Sequence, residues 1–298
     1  MPQSSKSEEG RTTKGAAITQ RLASKTSTAS SSGAAPRMFA RLTAAAPEMR
    51  RPRQTAARKA FGYLIALVAV LACWQLLAFA VNSPALPGPL VTIPLIALYA
   101  PQIVPDLLVS VYRVVAAILV GTALAMPLGL VAGRSPRVDA VVAPLMYLLY
   151  PIPKIVFLPV LLVLLGLADA PKIALIALTI FFQVLVTVRD AARNVSDSAI
   201  LSVRSLGASR LHVYRHVIVP AALPELFTAL RISSGTAIAI LFFAEAFAGR
   251  TGLGYFISDS WGMLDYPRMF VGIIAMALLG VAIYELFDFL ERRLSRWR

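Results

Sequence analysis

Residues 198–220, SAILSVRSLGASRLHVYRHVIVP, form a short basic stretch with a glycine at its centre and a proline at its end. Asp197 or Ser198 can cap a first helix over 199–206, with Ile200, Leu201 and Val203 along its apolar side. Gly207 can take the positive φ that ends this helix. Ser209 can cap a second helix over 210–217, and Pro220 marks the next break. The result is a helix–glycine–helix elbow with an apolar ridge and basic flanks. Such an elbow suits either docking onto a partner or resting on lipid headgroups. A loop that merely joined two membrane spans would need none of this.

Both neighbours of the elbow are long and apolar, and so is most of the chain. Its 298 residues are 58% hydrophobic and 15% charged, with a mean hydropathy of +0.72. Soluble domains carry roughly 25% charged residues, so much of this surface faces something other than water. Apolar runs at about 61–81, 107–132, 138–167, 172–188, 223–247 and 269–290 approach or exceed the roughly 20 residues that a hydrocarbon core requires. They do not alternate, which excludes a membrane β-barrel. The fold class is therefore an all-α polytopic membrane protein with about six transmembrane helices. The apolar middle of the proline-rich stretch 82–106 is expected to lie along the membrane surface rather than to cross it, and Pro151, Pro153 and Pro159 are expected to interrupt the third span.

Residues 1–58 are rich in Ser, Thr, Ala and Arg without hydrophobic periodicity, which predicts a disordered basic tail preceding a membrane domain over 59–298. The first 60 residues hold 12 Lys and Arg against 3 acids. The tail is read as a cytosolic segment touching anionic headgroups, or as an organellar transit peptide, which Glu8, Glu9 and Glu48 fit poorly. Counted at the span ends, about sixteen basic residues fall on one side and three (Lys172, Arg250, Arg268) on the other. By the positive-inside rule both termini and the elbow are cytoplasmic, in a multi-pass protein of a plasma membrane. The formal charge of +14 is thus spent at the membrane, and nucleic acid is not an expected partner.

Chemistry of its own is hard to find in the chain. No Gly-x4-Gly-Lys-Ser/Thr phosphate loop is present, and Thr251-Gly252-Leu253-Gly254 reads as a tight turn entering a re-entrant or surface segment. His212 and His216 have ligand-like i, i+4 spacing, but no Cys, Asp or Glu among 198–220 completes a metal site. One cysteine, Cys73, allows no internal disulfide. Charges within spans are the remaining candidates, because each costs about 2.5–3.5 kcal/mol at a helix centre. Lys154 either lines a pathway, which would suit an anionic solute, or pairs with a neighbouring helix. Arg231 is read as an interfacial anchor or a substrate contact. Glu245 is read as part of an outer gate or as the partner of Arg250.

The elbow resembles the cytoplasmic coupling signature of MetI-like permease subunits of binding-protein-dependent ABC importers. That signature reads Glu-Ala-Ala, three residues, Gly, nine residues, Ile-x-Leu-Pro. Gly207, Ala208, Ser209 and Pro220 match, Val217 and Val219 substitute conservatively, and Leu201, Ser202 and Val203 stand where the triplet would be. LPGP (86–89), PLGLVAGRSPRVD (127–139), YPIPKIVFLPVLLVLLGLADAPKIALIAL (150–178), VPAALPEL (219–226), LRISSG (230–235), AEAFAG (244–249) and TGLGYFI (251–257) are similar to the nitrate/sulfonate/taurine branch. The resemblance implies a bacterial inner-membrane permease that forms a homodimer and binds no cofactor itself. It further implies two cytosolic ATPase subunits holding ATP-Mg and an extracytoplasmic binding protein. The ATPase contacts would fall on Leu201, Ser202, Val203, Gly207, Ala208, Ser209, Arg210, Val217 and Pro220. The transported solute would be small, of sulfonate, nitrate or taurine type. The competing reading is a secondary transporter or channel, for which ion-coupling carboxylates and inverted repeats would be the sign.

Overall fold

The computed structural model describes residues 56–294, with side chains from residue 61 onward. The expectations for the N-terminal tail therefore lie outside the described residues, except that helix α1 already begins at Ala56. The chain divides into two compact units, residues 1–63 and 64–298, and the packing described below is that of the second.

Long apolar helices dominate this unit. Helix α1 (Ala56–Val81) is followed by α2 (Pro89–Arg134), then by the short α3 (Pro136–Leu149) and α4 (Leu158–Leu165), with a 3-10 turn at Lys154–Phe157 between them. Helix α5 (Ala170–Arg193) leads to the elbow helices α6 (Asp197–Ser205) and α7 (Arg210–Val213), and a π-helical turn over Tyr214–Ile218 joins α7 to α8 (Val219–Ala248). The short α9 (Leu253–Gly262) and the long α10 (Tyr266–Leu294) complete the described chain. Among the described residues five helices are long and apolar enough to cross a membrane, and α3 with the Lys154–Leu165 segment forms a sixth candidate bent by 89°.

At 46 residues, α2 departs most from expectation. The stretch 89–106 does not lie apart on the surface but continues the second span as helix, through Pro94, Pro101 and Pro105. At 1.5 Å per residue the helix is about 69 Å long, roughly twice a hydrocarbon core. Proline is tolerated inside such a helix because neighbouring groups can take up the freed carbonyls.

Helices α2 and α5 pack against each other along a stripe of small residues at every fourth position: Ala117, Gly121, Ala125, Gly129 and Gly133. A Cβ on Gly121 would come within 2.7 Å of the Ala177 carbonyl oxygen, and one on Gly129 within 3.1 Å of that of Leu185. A Cβ on Gly133 would collide with the Arg189 carbonyl. In a membrane, association rests on close packing rather than on escape from water, and small residues supply the closeness. Each contact joins a residue to one 56 positions later, so α2 and α5 run parallel in constant register. The chain must therefore return from the end of α2 to the start of α5, and α3–α4 make that return.

Candidate functional site

The elbow forms as a capped, glycine-centred turn, with adjustments. The first cap is Ser196 rather than Asp197 or Ser198, its hydroxyl accepting from the Ala199 amide at 3.4 Å. Gly207 has φ +83, with its amide donating to the Arg204 carbonyl at 2.9 Å. Ser209 caps the second segment through the His212 amide. Pro220 does not break the chain. The helix runs continuously through it, and the preceding turn widens so that the Val219 amide reaches the Tyr214 carbonyl.

Burial sorts the elbow residues into two sets. Ile200, Val213 and Ile218 are buried and anchor the elbow. Leu201, Leu206 and Leu211 are exposed, at 63%, 86% and 77%. The expected ridge of Ile200, Leu201 and Val203 is therefore replaced by these three leucines, since Ile200 faces inward and Val203 is half-buried. Ser202, Ser209 and Arg210 are exposed, and Ala208, Val217 and Pro220 half-buried. Arg134, at the end of α2, braces the elbow by donating to Asp197 Oδ1 at 2.9 Å and to the Val195 carbonyl at 3.2 Å. Nearby, Arg189 grips both oxygens of Asp139, tying α5 to α3. His212 and His216 stack with ring centroids 5.6 Å apart, and among the described residues no cluster of three metal-ligating side chains occurs.

A second constellation is built around the middle of α2. Arg113 is buried and makes five hydrogen bonds, matching its five N–H groups. Nε and Nη2 donate to Asp169 Oδ1 at 2.8 and 2.6 Å. Nη1 donates to Glu245 Oε1 and to the Thr251 carbonyl, both at 2.8 Å, and Nη2 to the Thr251 hydroxyl at 2.9 Å. The Ser110 hydroxyl stands 2.9 Å from each Glu245 oxygen and accepts from the Leu253 amide at 2.8 Å. The Gly254 amide donates to Glu245 Oε2, and the Gly252 amide to Asp106 Oδ1. Gly252 has φ +104, and a Cβ there would strike the Glu245 carboxylate. The glycines at 252 and 254 thus form a turn wrapped around a buried carboxylate.

This clasp corrects the reading of Glu245. Its ion-pair partner is Arg113 on α2, not Arg250, and its carboxylate is fully buried. Lys154 is likewise occupied: its ammonium donates to the carbonyls of Leu149, Tyr150 and Ile152 at 2.7, 2.9 and 2.7 Å and lies over the Phe182 ring. It caps the end of α3, where cations are favoured. Lys172 does the same for the turn after α4, through the carbonyls of Leu167 and Ala168. Arg231 pairs with Asp288 and Glu291 at 2.9 and 3.1 Å, pinning α8 to α10. In this structure each of the three residues named as pathway candidates is engaged in a separate structural tie. Arg113, Ser110 and Asp169 escaped the sequence reading, although Arg113 carried the signal of a lone charge within an apolar span.

Long apolar helices whose charged side chains are engaged in ties define a polytopic helical membrane protein. The model of the family described as binding-protein-dependent transport system inner membrane component matches residues 125–296. The chain belongs to that family, whose members are ABC transporter permeases: transport subunits of the inner membrane, with ATP hydrolysis on a separate subunit. It is 31% identical over 227 residues to a probable ABC transporter permease of Brucella abortus, covering 76% of this chain and 90% of that protein. It is 30% identical to the putative aliphatic sulfonates transport permease SsuC of Bacillus subtilis, covering 83% and 92%. The taurine transport permease TauC of Escherichia coli is 32% identical over 63% of this chain and 68% of its own length. The fold matches a chain of the inward-facing MetNI methionine ABC transporter with a TM-score of 0.54 at 19% identity, covering 64% of this chain and 95% of that one.

Proposed function

We propose that the chain is the permease of an importer for a small sulfonate-bearing solute, with residues 59–298 as the permease domain and the elbow as its ATPase contact. The elbow carries the reading. It exposes Leu201, Leu206 and Leu211 beside Arg204, Arg210 and Arg215 while Ile200, Val213 and Ile218 hold it to the membrane domain. An apolar ridge of that size facing water is a cost unless a partner covers it. A cytosolic ATPase pair, energised by ATP-Mg, is the proposed partner. With no carboxylate at Leu201, Ser202 or Val203, the contact rests on apolar packing and shape.

The rest of the assembly follows the same reading. Two permease copies enclose the pathway, and a binding protein delivers solute to the side opposite the elbow. The solute class leans on the sulfonate and taurine permeases among the relatives, since Lys154 is engaged as a helix cap. Basic residues at the elbow end orient both termini towards the cytoplasm. Coupling requires the ATPase pair to bind two permease states with different affinity, and the elbow is the element it would move.

The test is Gly207→Pro in the reconstituted transporter. Proline fixes φ near −65°, whereas Gly207 sits at +83 and its amide is bonded. The variant is expected to insert normally and to lose both uptake and solute-stimulated ATP hydrolysis. Unchanged transport would overturn the elbow assignment.

A further inference from the structure

Between the elbow and the turn that follows α2 lies a cavity of about 380 Å³, separate from the clasp and sharing Arg204 and Arg210 with the proposed ATPase-facing elbow. Arg134 and Arg137 stand on one wall, and Arg204 and Arg210 on the other. The floor is apolar, formed by Ile200, Val213 and Ile218, and none of the lining residues is acidic. Arg134 directs its terminal nitrogens to Asp197 and the Val195 carbonyl, while no ion pair within 4 Å engages Arg137, Arg204 or Arg210 among the described residues. Converging like charges beside a low-dielectric floor focus the field and draw in anions. Guanidinium forks are the side-chain group best matched to phosphate oxygens.

We infer that this cavity binds a phosphate-bearing anion, with the phosphate held between Arg137 on the turn and Arg204 and Arg210 on the elbow. Its volume exceeds what a bare phosphate fills, and the apolar floor continues into the helix bundle. Both features fit a phospholipid headgroup, and basic pockets between transmembrane helices are known to hold such groups. Free inorganic phosphate shares the recognition chemistry. Either ligand would bridge the elbow to the end of α2, adding a second tie beside the Arg134–Asp197 pair. The site stands on this geometry, whichever face of the membrane the elbow occupies.

The test uses the full-length protein, delipidated in detergent. Native mass spectrometry at equal added concentrations is expected to retain phosphatidylglycerol at least tenfold over phosphatidylcholine. Arg137→Gln/Arg204→Gln is expected to bring that ratio close to one. Arg193→Gln/Arg215→Gln removes the same charge outside the cavity and is expected to leave the ratio unchanged. In parallel, inorganic phosphate is titrated against chloride at matched ionic strength while the unfolding midpoint is followed. A phosphate-specific rise that the cavity variant loses, without lipid selectivity, assigns the site to the free ion. Failure of both ligands to distinguish wild type from the cavity variant, or an equal loss in the outside variant, overturns the proposal.

Discussion

Glu245 has no exposed surface, and Arg113, Ser110 and the Gly254 amide satisfy its oxygens. Breaking such a buried pair costs up to about 3–5 kcal/mol, the upper end being reached when the remaining charge has no other partner, whereas Arg113 would keep Asp169. Glu245→Ala is therefore expected to lower the unfolding midpoint in detergent sharply. Asp169→Ala is expected to cost less, because the Asp169 side chain is 45% exposed and water can replace it. The reverse order would refute the view of Glu245 as the centre of the clasp. Lys154→Met should likewise destabilise, by leaving three carbonyls without their donor, while the order of preference among competing solutes in uptake assays stays unchanged. The costly charges at 154, 231 and 245 were legible in the sequence as intramembrane oddities, but their partners were not. Arg113 and Glu245 are 132 residues apart, and no local spacing rule connects positions on separate helices. Lys154 was the harder case, since its partners are backbone carbonyls and leave no trace in residue identity.

The elements divide in the same way. The second cap and the glycine of the elbow were readable because the information is local: Ser209 and Gly207 act within four residues of themselves. The extent of α2 was not, because prolines that would end a soluble helix are accommodated within a bundle. The small-residue stripe of α2 could have been found by its period of four, as an interface awaiting a partner. Its strictness yields a prediction. Gly121→Leu must push α5 away, because its Cβ alone would lie 2.7 Å from the Ala177 carbonyl oxygen, and overpacking of this kind costs about 1–3 kcal/mol or more. Gly235→Leu, where an added Cβ meets nothing within 4 Å, should be near neutral. Thermal unfolding of the two variants in detergent separates them, and equal effects would mean that α2 and α5 are not closely packed in the membrane.

For the whole molecule, the parallel register of α2 and α5 decides the number of crossings. Helices that run the same way need an intervening passage, so the 89° bend in α3–α4 interrupts a crossing without cancelling it. Six passages then place Ser135 and Ser198 on one side of the membrane, and Ser83 and Thr251 on the other. Cys73 is the chain's single cysteine, so Cys73→Ser provides a clean background for introducing one cysteine at each of these positions. A membrane-impermeant maleimide is expected to label the two pairs from opposite faces. Labelling of positions 83 and 135 from the same face would remove α2 from the set of crossings.

The clasp also has a history within each molecule's synthesis. Arg113 leaves the ribosome 56 residues before Asp169 and 132 before Glu245. At 5–20 residues per second those intervals are about 3–11 s and about 7–26 s. For that time a guanidinium worth about 2.5–3.5 kcal/mol of insertion penalty has neither of its final carboxylates. The nascent α2 must therefore wait in the insertion machinery, or beside another polar surface, until its counter-charges are made.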